Sequence, residues 1–159
     1  MPEAHTPPFK RAVLALNGGS SDELILRLTT AMAKGPEAEL IAVHVVEVDW
    51  TLPIDADIAG NSEEAQRVLD GAESAAELAK VRLEPVLLQA RDVGAAIVER
   101  AREHDVEAII VGGEPPTLVR GGAILGGVRG AKPAEIGPVS EYVLKHAPCR
   151  VLLTAPPGE

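Results

Sequence analysis

The sequence predicts a single doubly wound α/β domain built on a parallel sheet of five strands. Three observations predict it. Short apolar runs alternate with segments of helical period along the whole chain, and a helix between successive strands implies parallel pairing with right-handed crossovers. Hydrophobic residues make up 46% but aromatic residues only 2%, so the core must be Val, Leu, Ile and Ala, as in strands covered by helices on both faces. The length, 159 residues with no repeat, fits one domain.

The elements follow in order. Arg11 to Leu16 is an apolar run closed by Asn17-Gly18-Gly19, a buried first strand. Ser20 stands three residues before Glu23, a capping-box pattern, and Leu24, Leu28 and Met32 follow at helical spacing beside Ile25. Lys34-Gly35-Pro36 stops this helix. Glu39 to Val48 is a β-branched second strand inside the sheet, and Asp49 to Gly60 is a loop. Asn61 or Ser62 opens a second helix that buries Ala65, Val68, Leu69, Ala72, Ala76 and Ala79. Arg82 to Leu88 is a third strand, and Pro85, lacking a ladder donor, places it at an edge. Asp92 caps a third helix whose inner face is Val93, Ile97, Val98 and Ala101. Val106 to Val111 is the fourth strand, and Gly112 to Pro133 is a long glycine-rich loop. Gly137-Pro138 begins the last helix, with proline at its first position and Ile136, Val139 and Val143 inward. Cys149 to Ala155 is the fifth strand. Residues 1–9 and 156–159 are expected as loose tails around a domain spanning 10–155.

Composition narrows the function. A net charge of -9 and the scarcity of aromatics argue against nucleic acid, because phosphates are repelled and bases find no stacking platform. The charge is uneven. Glu47 to Leu78 holds nine acids against one base, Arg67, whereas Gly113 to Arg150 holds five bases against three acids, so an anionic ligand belongs with the C-terminal third. The single cysteine, Cys149, makes neither an internal disulfide nor a metal cluster, and core filler is its plainest role. No apolar run of transmembrane length and no signal pattern is visible, so no membrane insertion and a cytoplasmic location are expected.

Motifs for catalysis are missing. The chain has no Gly-x-Ser-x-Gly elbow, no Gly-Lys-Ser/Thr and no Gly-x-Gly-x-x-Gly, and no His–carboxylate spacing suggests a site, so binding rather than catalysis is expected, with no catalytic or metal-ligating residue. In open parallel sheets ligands sit beyond the carboxyl ends of the strands where the winding reverses. If strands one and four are neighbours there, the loops Asn17 to Ser21 and Gly112 to Gly137 converge, and these are the most glycine-rich parts of the chain.

Four stretches carry a resemblance: VLALNGGSSDE, VHVV, EAIIVGG and, most specific, GPVSEYVLKHAPCRVLL. Together they resemble the universal stress protein family over Lys10 to Ala155. The segments TLPIDADI and QARDVGAAIVERA are similar to a subset of such domains that form cytosolic tails of amino-acid or cation transporters. The resemblance implies strand order 3-2-1-4-5, the adenine nucleotide alpha hydrolase-like fold, homodimers joined at the fifth strand, and ATP bound by many members, with Mg²⁺ accompanying it. In the family an Asp ending the first strand contacts the nucleoside, together with backbone groups of the second strand. Its glycine motif runs glycine, two residues, glycine, nine residues, then glycine and Ser or Thr.

This sequence departs from that pattern at three points. Asn17 stands at the Asp position, neutral but still able to hydrogen-bond. The spacing from Gly113 to Gly137 is too long; Gly127 keeps the nine-residue gap, but Ile124 replaces the glycine before it. Pro138 replaces the Ser/Thr and removes an N–H, leaving the amides of Val139 and Ser140. The expected ligand is therefore an adenine nucleotide in a broad sense: ATP, AMP or cyclic di-AMP.

The candidate contacts are Leu16, Asn17, Gly18, Gly19 and Ser20 after strand one, Val45 in strand two, Gly112, Gly113, Arg120, Gly126, Gly127 and Arg129 after strand four, and Gly137, Pro138, Val139 and Ser140 at the last helix. Each has a plainer reading. Gly18-Gly19-Ser20 also makes a tight turn with a cap, and Arg120, Arg129 and Lys132 also serve as solvated loop charges. His44, in mid-strand, reads as a satisfied core histidine, and Trp50 with Leu52-Pro53-Ile54 as a partner surface or a fold-over of the sheet edge. The competing function is a nucleotide-free interaction module acting as a dimer.

Overall fold

The computed structural model describes residues 7–33, 37–56, 61–113 and 137–154. Strand β1, Arg11–Leu16, is a run without a breaker that ends at Asn17-Gly18. It leads into α1, Ser21–Met32, and β2, Glu39–Glu47. Helix α2, Asn61–Ala79, precedes β3, Arg82–Ala90, and α3, Val93–Glu103, precedes β4, Ala108–Gly112. Helix α4, Pro138–His146, and β5, Arg150–Thr154, complete the described elements.

The five strands are parallel in the order β3-β2-β1-β4-β5. The chain winds outward from β1 through β2 to β3, then crosses back to β4 on the other side of β1. The reversal therefore lies between β1 and β4, where Leu14 sits opposite Ile110. Pro85 does lie in an edge strand, opposite Ala42.

Alternation along each strand divides the core into two aliphatic layers. Leu14, Leu40, Ala42 and Ile110 face α1 and α2 and meet Ile25, Leu69 and Ala72. Val13, Ile41, Val43, Ile109 and Val111 face α3 and α4 and meet Ile97, Val98, Ala101 and Val143. Burying each Val, Leu or Ile side chain here contributes about 1.5–3 kcal/mol, which makes these layers the main support of the fold.

Helix α1 differs from its expectation twice. Ser20 makes no capping hydrogen bond and already has helical angles, φ −65 and ψ −20, so the capping box does not form. The buried positions are Ile25, Thr29, Thr30 and Ala33, with Met32 partly buried against the core, whereas Leu28 is 42% exposed. Thr29 is tolerated inside because its hydroxyl donates to the Ile25 carbonyl at 2.6 Å. Elsewhere the local signals act as expected. Asp92 accepts the Ala95 amide at 3.0 Å, and Pro138 occupies the first turn of α4 behind Gly137. The fourth strand is shorter at its start than expected, because Val106 closes the α3 turn through its amide to the Ala101 carbonyl.

Candidate functional site

The turn after β1 is built around a carboxylate. Asp22 accepts the amides of Asn17 at 3.1 Å and Gly18 at 2.7 Å, while Asn17 Oδ1 accepts the Gly19 amide at 2.7 Å. Gly18 has φ +82, a conformation that suits glycine, which has no Cβ. These three amides are thus donated within the turn itself. Burial raises the Asp22 carboxyl above its ordinary value; the Asn17 and Gly18 amides and the charge of nearby His44 oppose that shift without cancelling it. His44 is buried, with Nδ1 2.9 Å from the Leu16 carbonyl. A carbonyl only accepts, so Nδ1 carries the proton and His44 is a satisfied core histidine.

The end of β4 is tied to three elements. Ser140 Oγ donates to the Gly112 carbonyl at 2.9 Å and Ser21 Oγ to the Gly113 carbonyl at 3.4 Å. The Gly113 amide donates to the Thr154 carbonyl of β5. Gly112 must be glycine, since a Cβ there would lie 2.7 Å from Ser21 Cβ. At α4 the first amide with an intrahelical acceptor is that of Glu141, bonded to the Gly137 carbonyl at 2.9 Å. Pro138 has no N–H, so the amides of Val139 and Ser140 form the donor-bearing start of the helix.

These pieces enclose a cleft of about 190 Å³ at the carboxyl end of the sheet. Ala15, Val43, Val45 and Val111 form its strand wall, Val93 and Ile97 of α3 close one flank, and Val139 and Ser140 of α4 another. Leu16, Asn17, Glu47 and Gly112, at the strand ends, make the rim. The cleft therefore has apolar walls and polar edges.

Of the residues expected from sequence, Leu16, Asn17, Val45, Gly112, Val139 and Ser140 come together here, and Gly137 and Pro138 begin the helix that forms one flank. Gly18 and Gly19 do not line it. They face a depression of about 390 Å³ between α1 and α2, which carries Asp22, Glu23 and Glu64 against one Arg67. Ser20 and Gly113 line neither hollow. Arg120, Gly126, Gly127 and Arg129, with Lys132 and Ile136, lie outside the described residues. Sequence reasoning missed Ala15, Val43, Glu47, Val93, Ile97 and Val111. The period of two in β2 was the available signal, since it sets Val43, Val45 and Glu47 on one face.

Among the described residues no group of three or more His, Cys, Asp or Glu could hold a metal, and no helix is long and apolar enough to cross a membrane. The loop after β2 is strapped to the end of β3. Arg91 donates to the carbonyls of Asp49 at 2.8 Å and Leu52 at 2.9 Å and stacks 4.9 Å from the Trp50 ring. Trp50 remains 79% exposed.

A parallel sheet reversing between β1 and β4, with a half-apolar cleft over the reversal, defines the class of doubly wound α/β domains that hold ligands at a switch point. Within it, the chain belongs to the universal stress protein family, whose profile matches residues 8–155. No curated protein matches the sequence. Solved structures share the fold. A universal stress protein from Archaeoglobus fulgidus is 20% identical with a TM-score of 0.70, covering 90% of this chain and 96% of its own. The Archaeoglobus fulgidus universal stress protein in complex with dAMP gives 19% and 0.65, covering 93% and 98%. A family member from Arabidopsis thaliana with AMP bound gives 15% and 0.59, covering 94% and 93%.

Proposed function

We propose that this protein binds an adenine nucleotide in the cleft over the β1–β4 reversal and acts as a regulatory binding protein rather than a catalyst. The observation that carries the reading is the cleft's polarity. A planar base fits between the valine wall and α3, while sugar and phosphate reach Asn17, the Gly112 backbone and the first amides of α4. That relatives of the same fold are described with dAMP and AMP supports the ligand class. Any Mg²⁺ would arrive on the phosphates of ATP, because Glu47 is the one carboxylate among the described cleft residues. The resemblance of two segments to transporter tails extends the proposal to a membrane transporter as the regulated partner.

Calorimetric titration with AMP, ATP and cyclic di-AMP tests the reading. At least one binds the wild-type chain, and Ala15→Leu, which fills the strand wall of the cleft, removes that binding while the thermal midpoint stays within a few degrees. Binding unchanged in Ala15→Leu places the ligand elsewhere. Multiple-turnover release of phosphate from ATP would contradict a purely binding role. The second reading, a nucleotide-free dimeric interaction module, is favoured by Leu152 at 40% and Leu153 at 38% exposure on the outer strand β5. Absence of heat with all three nucleotides on folded protein selects it.

A further inference from the structure

Glu47 is the last residue of β2, and strand alternation puts it on the same face as Val43 and Val45, one step beyond the apolar wall. Among the described residues that line the cleft it is the only one with a formal charge, and no cation lines the cleft with it. The neighbouring polar groups are mixed. The Ser140 hydroxyl spends its proton on the Gly112 carbonyl and keeps its oxygen as an acceptor, whereas Asn17, its Oδ1 held by the Gly19 amide, offers its Nδ2 as a donor. Pro138 withholds the N–H that another residue would offer at the first position of α4.

The Glu47 carboxylate matches donors, the hydroxyl pair of a ribose or an exocyclic amine, and repels phosphate oxygens, which only accept and are left to the Val139 and Ser140 amides. We infer that Glu47 is a specificity residue that accepts the sugar hydroxyls and sets the cleft against densely charged ligands, so that nucleoside and monophosphate are preferred over triphosphate. This rests on the adenine-nucleotide reading and refines its ligand class. A carboxylate repels each added phosphate charge through a partly screened medium, so the preference grows with phosphate number and shrinks with salt.

The test is calorimetry with adenosine, AMP and metal-free ATP on the wild type, Glu47→Gln and Glu47→Lys at low salt. Glu47 is exposed, and circular dichroism checks that both variants fold. The ratio of the ATP to the adenosine dissociation constant is expected to fall roughly tenfold in Glu47→Gln and further in Glu47→Lys, while adenosine itself binds more weakly in both. Loss of a sugar hydrogen bond affects both ligands alike, so the ratio isolates the charge. A fall of less than about threefold overturns the role of Glu47 and leaves nucleotide binding intact. If folded wild type binds none of the three ligands, the nucleotide reading itself fails, and this inference with it.

Discussion

Asp22 shows how one side chain fixes the crest of the sheet. Its carboxylate gathers the Asn17 and Gly18 amides, while the capping box that the sequence pattern suggests between Ser20 and Glu23 does not form. The reason is geometric: Ser20 is already helical, so its hydroxyl lies off the free amides, whereas Asp22 reaches back over the turn. Burial leaves the folded carboxyl titrating above its ordinary value of 3.8, so the folded state holds this proton more tightly than the unfolded chain. The stabilisation from the protonated form is complete below the unfolded value and is lost as pH rises through the folded one. In Asp22→Asn that titration is absent. The stability of the wild type relative to the variant should therefore decline from about pH 4 upward and then level off, as followed by urea midpoints across pH 3 to 7. A difference that does not vary with pH would remove burial as the governing cause.

At the scale of elements, the cleft depends on how closely α3 and α4 approach. Gly94 makes that approach possible, because a Cβ there would stand 2.9 Å from Tyr142 Cβ. Gly94→Ala should cost about 1–3 kcal/mol through overpacking, and a domain of this size loses about 2–4 °C of thermal midpoint for each kcal/mol. A melt followed by circular dichroism reads it, and a change below about one degree would mean that the helices separate freely. The same variant should bind nucleotide more weakly, since Val93 and Val139 form facing parts of the cleft on these two helices. The loop after β2 behaves differently. Asp49 accepts both the amide and the hydroxyl of Thr51 at 2.8 Å, and these bonds lower its carboxyl below the ordinary value. Together with Arg91 they give the segment bearing Trp50 a defined shape without burying the ring.

At the scale of the whole molecule, the feature that governs assembly in our reading is the outer edge at β5. This strand pairs with β4, and Leu152 and Leu153, which point to opposite faces, are both partly exposed, as is Leu144 of α4. Among the described residues no further strand pairs with this edge, and, flanked by leucines, it is the surface on which we propose a homodimer forms. Light scattering coupled to size exclusion should give a dimer mass for the wild type and a monomer mass for Leu153→Asp, with the circular-dichroism spectrum unchanged. A monomeric wild type at micromolar concentration would set the proposal aside.

How much of this was legible in the sequence follows from the range of each interaction. Strand and helix positions were readable because they rest on local periodicity and on punctuation such as Pro138, Asp92 and Gly18. The edge placement of β3 followed from one missing N–H at Pro85. The inner stripe of α1 was not readable. Thr29 looks polar in a sequence, and only its bond to the Ile25 carbonyl shows why it is buried while Leu28 is not. Of the residues lining the cleft, Asn17 and Ser140 could be named in advance from their places at a strand end and a helix start, and Val45 from the family resemblance, whereas Gly18 and Gly19 line the depression between α1 and α2.

By itself, then, the sequence determined an aliphatic parallel sheet and its punctuation, because alternation and turn chemistry act between near neighbours along the chain. Only the tertiary structure decided which glycines permit close approach, how the end of β4 is tied to its neighbours, and that Glu47 stands at the mouth of the cleft. Those outcomes depend on atoms brought together from distant segments: Ser21 against Gly112, Tyr142 against Gly94, Ser140 against the end of β4. Their separation in the chain leaves no local pattern from which to read them.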